Sequence, residues 1–111
     1  MIVIGTQENS HSIAQSYFCN DKSTFTEQLF RRLNPHNYSI LFDAEMNAMQ
    51  MLVFVKEDLF PCFKVASTRN VKMGQMGSNK GAIILHLKTK SRDLIFANCH
   101  LDSKHESRRE E

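Results

Sequence analysis

The sequence lacks the features that mark several classes of protein. Its 111 residues carry a formal net charge of +2, without the basic excess of a dedicated nucleic-acid-binding protein. No apolar run approaches the roughly 20 residues of a membrane span. The N-terminal MIVIGTQEN has no basic residue before its apolar part, so we do not expect a secretory signal. These absences favour one small domain or part of a larger one.

Cysteine is also scarce. Cys19, Cys62 and Cys99 are odd in number and widely spaced, which argues against a disulfide framework and against a CxxC zinc site. Reduced thiols are typical of the cytosol, so we predict a cytoplasmic location. The sequence also lacks a P-loop and the G-x-S-x-G motif of acyl-transfer serines.

The hydrophobic pattern predicts a strand, a helix and then a series of strands. Residues 2–7 begin with a continuous apolar run and are rich in β-branched residues, with a break at Gly5, as in a buried strand. Thr24 and Glu27 form a T-x-x-E capping box at the start of a helix that Pro35 ends. Further strands are predicted at 38–42, 47–55, 63–68, 82–87 and 94–99, with a turn at 43–46 and a hairpin from the last two. This order predicts an α+β fold with mostly antiparallel sheets.

Glu8 directly follows the first predicted strand. A strand end fixes a carboxylate beside open solvent. Mg²⁺ takes one or two carboxylates, while water and substrate phosphate fill its other positions. Glu8 is therefore either a metal ligand or an ordinary solvated carboxylate.

The segment MGSNKGAIILHL at 76–87 joins a glycine-rich stretch to an apolar strand. Gly74, Gly77 and Gly81 give the backbone freedom, so that N–H groups can approach an anion closely. Lys80 adds a compact positive charge and Asn79 adds amide donors. Either this segment binds a phosphate or it is a plain turn with Lys80 in solvent.

The segment FANCHL at 96–101 ends the last predicted strand. Because side chains alternate along a strand, Phe96, Asn98 and His100 share one face. A histidine on a rigid strand end can donate to a phosphoryl oxygen or act as a general acid or base. The alternative is a histidine that only caps the strand. His86, inside the preceding strand, is expected to face a polar layer or an edge.

The order of these motifs resembles the inositol polyphosphate 5-phosphatase family, within the larger endonuclease/exonuclease/phosphatase superfamily. IGTQE resembles the family's G-x-Q-E, whose acid binds Mg²⁺, and the resemblance gives this role to Glu8. SNKGA resembles the G-N-K-G loop that binds substrate phosphate, which implies that Asn79 and Lys80 bind substrate.

The C-terminal part of the sequence extends the resemblance. NCHL resembles the family's N-x-H-L, whose histidine contacts the scissile phosphate. This implies a catalytic His100, with Asn98 beside it in the substrate site. Arg108 and Arg109 resemble the R-R-N that follows, which implies that they also bind substrate.

The resemblance implies a four-layer α/β/β/α sandwich, of which residues 1–111 would form the N-terminal-to-middle part. It implies Mg²⁺-dependent hydrolysis of the 5-phosphate of phosphoinositides or soluble inositol polyphosphates. The partners would be those substrates and a peripheral membrane surface, with no nucleic acid. The sequence does not indicate an oligomeric state.

The family pattern is incomplete in this sequence. It lacks the upstream strand with an active-site Asn, the G-D-x-N whose Asp activates the attacking water, and the S-D-H. Ser78 stands where the family has Gly, and Glu110 where it has Asn. We therefore expect an incomplete catalytic domain with little activity of its own. The alternatives are a nuclease or other phosphodiesterase of the same superfamily, of which the N-K-G loop is less typical, and a truncated, non-catalytic binding module.

Overall fold

The computed structural model describes residues 1–8, 24–74 and 79–101. Within these ranges the chain forms β1 (Ile2–Thr6), α1 (Phe25–Leu33), β2 (Tyr38–Met46), β3 (Met49–Lys56), β4 (Lys64–Met73), β5 (Lys80–Lys88) and β6 (Asp93–His100). Short 3₁₀ turns lie at Asn34–His36 and Phe60–Cys62. No helix in these ranges is long and apolar enough to cross a membrane.

The strands form two three-stranded antiparallel sheets, which confirms the predicted α+β class. The first sheet has the order β1-β3-β2 and the second the order β4-β5-β6. One face of each sheet packs on the other through a cluster of buried side chains: Met46, Met49, Met51, Val53, Val55, Ile83, Leu85 and Leu87. We call the faces that meet at this cluster the inner faces.

The central strand β3 is buried on both of its faces. Its side chains alternate, so Leu52 and Phe54 point away from the inner face, yet both are fully buried. The helix α1 lies on this second face, because Thr26 Oγ1 accepts a 2.6 Å hydrogen bond from Gln50 Nε2. The described layers are therefore a helix, a sheet and a second sheet.

The helix begins and ends as the sequence predicts. Thr24 Oγ1 accepts a 3.2 Å hydrogen bond from the backbone N–H of Glu27, a cap that contributes about 1 kcal/mol. The last helical residue is Leu33, and Pro35 lies in the first turn of the following 3₁₀ turn. Proline excludes the preceding residues from a longer α-helix.

The turn predicted at 43–46 is wrong. Strand β2 continues to Met46, and the connection to β3 is the two-residue turn Asn47–Ala48, in which Asn47 has a left-handed φ of 53°. Polar side chains at 43 and 45 suggested a turn, whereas they alternate along the outer edge of a sheet. Strand β4 also extends to Met73, beyond its predicted end at 68. All of its residues are exposed, so the sequence has no alternation of apolar residues that would indicate its full length.

The predicted hairpin of β5 and β6 is confirmed. The two strands pair from Gly81 opposite His100 to Lys88 opposite Asp93. The turn between them is closed by Thr89, whose Oγ1 accepts from the backbone N–H of Arg92 at 3.0 Å. The open end of this hairpin carries the candidate site.

Candidate functional site

The ends of three strands meet at one edge of the packed sheets. The last residues of β1 and β6 are Thr6 and His100, and β5 begins at Lys80. The hairpin register places Gly81 opposite His100, so the start of β5 lies beside the end of β6. The end of β1 joins them through side-chain contacts between the two sheets.

Asn98 connects the end of β6 to the first sheet. Its Nδ2 donates to the backbone carbonyl oxygens of Thr6, at 2.9 Å, and Gln50, at 3.0 Å. Thr6 and Gln50 are register partners in β1 and β3. Gln7 Nε2 lies 3.4 Å from Asn98 Oδ1 and also donates to the carbonyl oxygen of Cys99. Both polar atoms of the Asn98 amide therefore contact other groups of the protein.

His100 is buried, with 8% of its surface exposed. Its Nδ1 lies 3.1 Å from the carbonyl oxygen of Asn79, and because a carbonyl only accepts, Nδ1 carries a hydrogen. Its Nε2 faces two groups of opposite charge, Lys80 Nζ at 2.7 Å and Glu8 Oε1 at 3.3 Å. The neutral ring accepts from Lys80, whereas the protonated ring would donate to Glu8.

Glu8 lies at the open end of β1, with 69% of its side chain exposed. Its φ of 53° is in the left-handed region, which disfavours a residue with a side chain by about 1–2 kcal/mol. Strained backbone of this kind is common at functional sites. The backbone holds the carboxylate beside His100 while leaving it accessible to a ligand.

A metal ion at this position would have one carboxylate ligand. No three His, Cys, Asp or Glu side chains are grouped to hold a metal within the described ranges. A single carboxylate suits Mg²⁺, which usually binds one or two carboxylates, keeps several waters and takes the remaining oxygens from substrate phosphate. Glu8 fits that donor set.

Gln50 contacts Asn98 through its backbone carbonyl, while its side chain contacts the helix α1 and strand β2. It is 3% exposed, and its Nε2 donates to Thr26 Oγ1 at 2.6 Å and to Asp43 Oδ1 at 3.1 Å. Its Oε1 and the Oγ1 of Thr6 are buried, and neither hydrogen-bonds to the part of the chain that the structure describes. Sequence reasoning missed Gln50, Gln7 and Thr6, because their contacts depend on packing between distant segments.

The structure brings together five of the residues that the sequence singled out: Glu8, Asn79, Lys80, Asn98 and His100. Asn79 contacts His100 through its backbone carbonyl, and a substrate role for its side chain stays a prediction. Arg108 and Arg109 lie outside the described residues.

Comparison with known proteins gives one family. A family model described as "Endonuclease/Exonuclease/phosphatase family 2" matches residues 1–111, which is the whole sequence. No curated protein matches the chain.

Proposed function

The chain belongs to the endonuclease/exonuclease/phosphatase family, and on that premise we propose that its site serves Mg²⁺-dependent hydrolysis of the 5-phosphate of phosphoinositides or soluble inositol polyphosphates. The family supports a phosphoesterase or nuclease type of hydrolase in general. The observation that carries the proposal is the convergence on His100 Nε2 of an ammonium group at 2.7 Å and a carboxylate at 3.3 Å.

Two of these groups, the Lys80 ammonium and the His100 ring, suit a phosphate dianion. Lys80 and a protonated His100 supply charge-assisted hydrogen bonds, which are about twice as strong as neutral ones. Without a ligand, Glu8 balances the positive charge of Lys80 across the ring of His100. A phosphate would take the place of Glu8 as the anionic partner of both donors.

Displacement from His100 would allow Glu8 to hold Mg²⁺. When bound, the ion stabilises the negative charge that develops on the phosphoryl oxygens. The ring of His100 keeps its orientation throughout, because the hydrogen bond from Nδ1 to the Asn79 carbonyl leaves Nε2 as the nitrogen that faces the substrate. Nε2–H then donates to a phosphoryl oxygen in the transition state.

We favour a phosphatase over a nuclease because the N-K-G segment resembles the loop of the phosphatase family and is less typical of nucleases. Asn79 directly precedes β5 and Lys80 is its first residue, with the Lys80 ammonium group 2.7 Å from His100 Nε2. A compact ammonium is a common phosphate ligand. The proposed partners are inositol phosphates, or phosphoinositides at a membrane surface, and the proposal includes no nucleic acid.

Binding by the 111-residue chain is the first test. In calorimetry with Mg²⁺, we expect inositol 1,4,5-trisphosphate to bind more tightly than inositol 1,4-bisphosphate, which lacks the 5-phosphate. Lys80→Ala should weaken trisphosphate binding about 10- to 100-fold, because a hydrogen bond to a charged group contributes roughly 1.5–3 kcal/mol. Lys88→Ala is the matched control, since Lys88 ends the same strand and is exposed.

Product analysis separates the alternatives. Release of inorganic phosphate from the trisphosphate, in a form of the protein that also contains a G-D-x-N segment, supports the proposal. Cleavage of an oligonucleotide without phosphate release would favour a nuclease. Tight trisphosphate binding without turnover in that longer form would favour a non-catalytic binding module. Equal affinity for the two inositol phosphates would mean that the site does not recognise the 5-phosphate, which would contradict the proposed substrate.

A further inference from the structure

We infer that Asn98 is a positioning residue, which anchors the end of β6 to β1 and thereby holds His100 Nε2 beside Glu8. The contacts of Asn98 with β1 and β3 follow from the geometry alone, whereas their importance for catalysis rests on the proposed function. The resemblance to the phosphatase family suggested that Asn98 lies in the substrate site, and the contacts of its amide favour a different role.

The polar atoms of the Asn98 amide all face protein groups. Its Nδ2 lies within hydrogen-bonding distance of two carbonyl oxygens, those of Thr6 and Gln50, and these can take both of its hydrogens. Its Oδ1 faces the Nε2 of Gln7. A substrate that accepted a hydrogen bond from Nδ2 would have to displace one of these two carbonyls, and a typical hydrogen bond of this kind contributes about 0.5–1.5 kcal/mol.

The backbone of β1 leaves room for this amide at Gly5. A Cβ built on Gly5 would lie 3.0 Å from Asn98 Cγ and 3.3 Å from Asn98 Nδ2, closer than ordinary van der Waals contact. Any larger residue at position 5 would therefore press on the Asn98 side chain. Glycine at position 5 allows the backbone of β1 to approach the Asn98 side chain closely and does not serve an unusual turn.

The position of the Asn98 contacts along the chain links them to the contact of His100 with Glu8. Asn98 lies two residues before His100 on the same face of β6, and the backbone carbonyl that it contacts belongs to Thr6, two residues before Glu8. The contact of Asn98 with Thr6 therefore lies directly before the contact of His100 with Glu8. The other two partners of the His100 ring, at positions 79 and 80, belong to the second sheet.

This arrangement makes a specific prediction for variants without the anchor. In Asn98→Ala, His100 should keep its contacts with Asn79 and Lys80, because they lie within its own sheet. It should lose its contact with Glu8, which lies across the interface. The two ring nitrogens of one histidine therefore report separately on the two sides of the site.

Nuclear magnetic resonance of the ¹⁵N-labelled 111-residue chain, without ligand, tests this. Glu8→Gln defines how the His100 Nε2 shift changes when the carboxylate is removed. We expect Asn98→Ala and Gly5→Ala to move Nε2 in the same direction while the Nδ1 shift stays near that of the unmodified chain. Asn70→Ala is the matched control, because Asn70 and Asn98 are both register partners of Ile83 and Asn70 is exposed on β4.

An Nε2 shift that stays unchanged in a folded Asn98→Ala or Gly5→Ala chain would overturn the inference. If Asn98→Ala does not fold, Gly5→Ala decides, since it retains every hydrogen-bonding group and displaces only a side chain. In an active form, we expect kcat to fall up to about 100-fold with KM nearly unchanged, as for misplaced catalytic groups. A rise in KM alone would instead indicate direct substrate binding. Because the shifts need no turnover, a failed phosphatase assay leaves this test intact.

Discussion

Each face of the β5–β6 hairpin carries a histidine that faces a carboxylate, and the surroundings of the two histidines differ. On the inner face, His100 Nε2 lies 3.3 Å from Glu8 Oε1. On the outer face, His86 Nε2 lies 3.4 Å from Asp93 Oδ2. The inner pair joins two sheets, whereas the outer pair joins two neighbouring strands of one sheet.

The difference teaches that a histidine–carboxylate distance does not by itself identify a site. The side chain of His100 is 10% exposed and that of His86 is 27% exposed. The ring of His100 also meets an ammonium group and a backbone carbonyl, which set the orientation of both ring nitrogens. Convergence of several groups on one buried ring distinguishes the inner pair.

The largest contrast between the two faces should be in stability. Leu85 on the inner face is fully buried, so Leu85→Ala should reduce the free energy of unfolding by about 2–5 kcal/mol. Ile95 on the outer face is 70% exposed, so Ile95→Ala should change it by no more than about 0.5 kcal/mol. Urea unfolding followed by circular dichroism measures both. Equal losses would contradict the packing of the two sheets through the inner face.

The next contrast should be in catalysis. In a catalytically competent form of the protein, His100→Ala should lower turnover by about 100-fold or more, because it removes a donor to the developing charge. His86→Ala should leave turnover within about twofold, since the outer pair lies away from the strand ends that form the site. Phosphate release at saturating substrate measures both rates. A fully active His100→Ala enzyme would refute the role given to the inner pair.

The smallest effect should come from breaking the outer pair. Asp93→Asn removes the carboxylate from a pair whose Asp93 side chain is 59% exposed. Exposed pairs of this kind contribute about 0–1 kcal/mol. We therefore expect a loss below about 1 kcal/mol, measured by urea unfolding. A loss of several kcal/mol would mean that the outer pair is structural.

Local signals in the sequence predicted much of the fold. The Thr24 cap, the end of α1 before Pro35 and the β5–β6 hairpin each depend on residues close together in the chain. The β2–β3 turn was misplaced because Asn47, which tolerates the left-handed conformation, is a weaker signal than the polar residues before it. The C-terminal part of β4 was not predicted, because this edge strand has no buried face and therefore no alternation of apolar and polar residues.

The candidate site was predictable only as separate motifs. Glu8, Lys80 and His100 each follow or begin an apolar strand, and this local position marked them. Their meeting at one ring nitrogen depends on how the two sheets dock. The contacts of Gln7 and Gln50 had no local signal, because their partners lie in distant segments of the chain. Contacts between segments so far apart in the chain cannot be predicted from the local pattern of a single sequence.

The hydrogen bonds of Asn98 have a consequence for the order of folding. They close loops of 92 residues to Thr6 and 48 residues to Gln50. Contacts this far apart in sequence form slowly, whereas hairpins can form from neighbouring segments within microseconds. We therefore expect the hairpins to assemble first and the docking of the two sheets to follow. During synthesis, Glu8 would leave the ribosome long before His100, and the groups that meet at His100 Nε2 could not assemble until the second sheet had packed on the first.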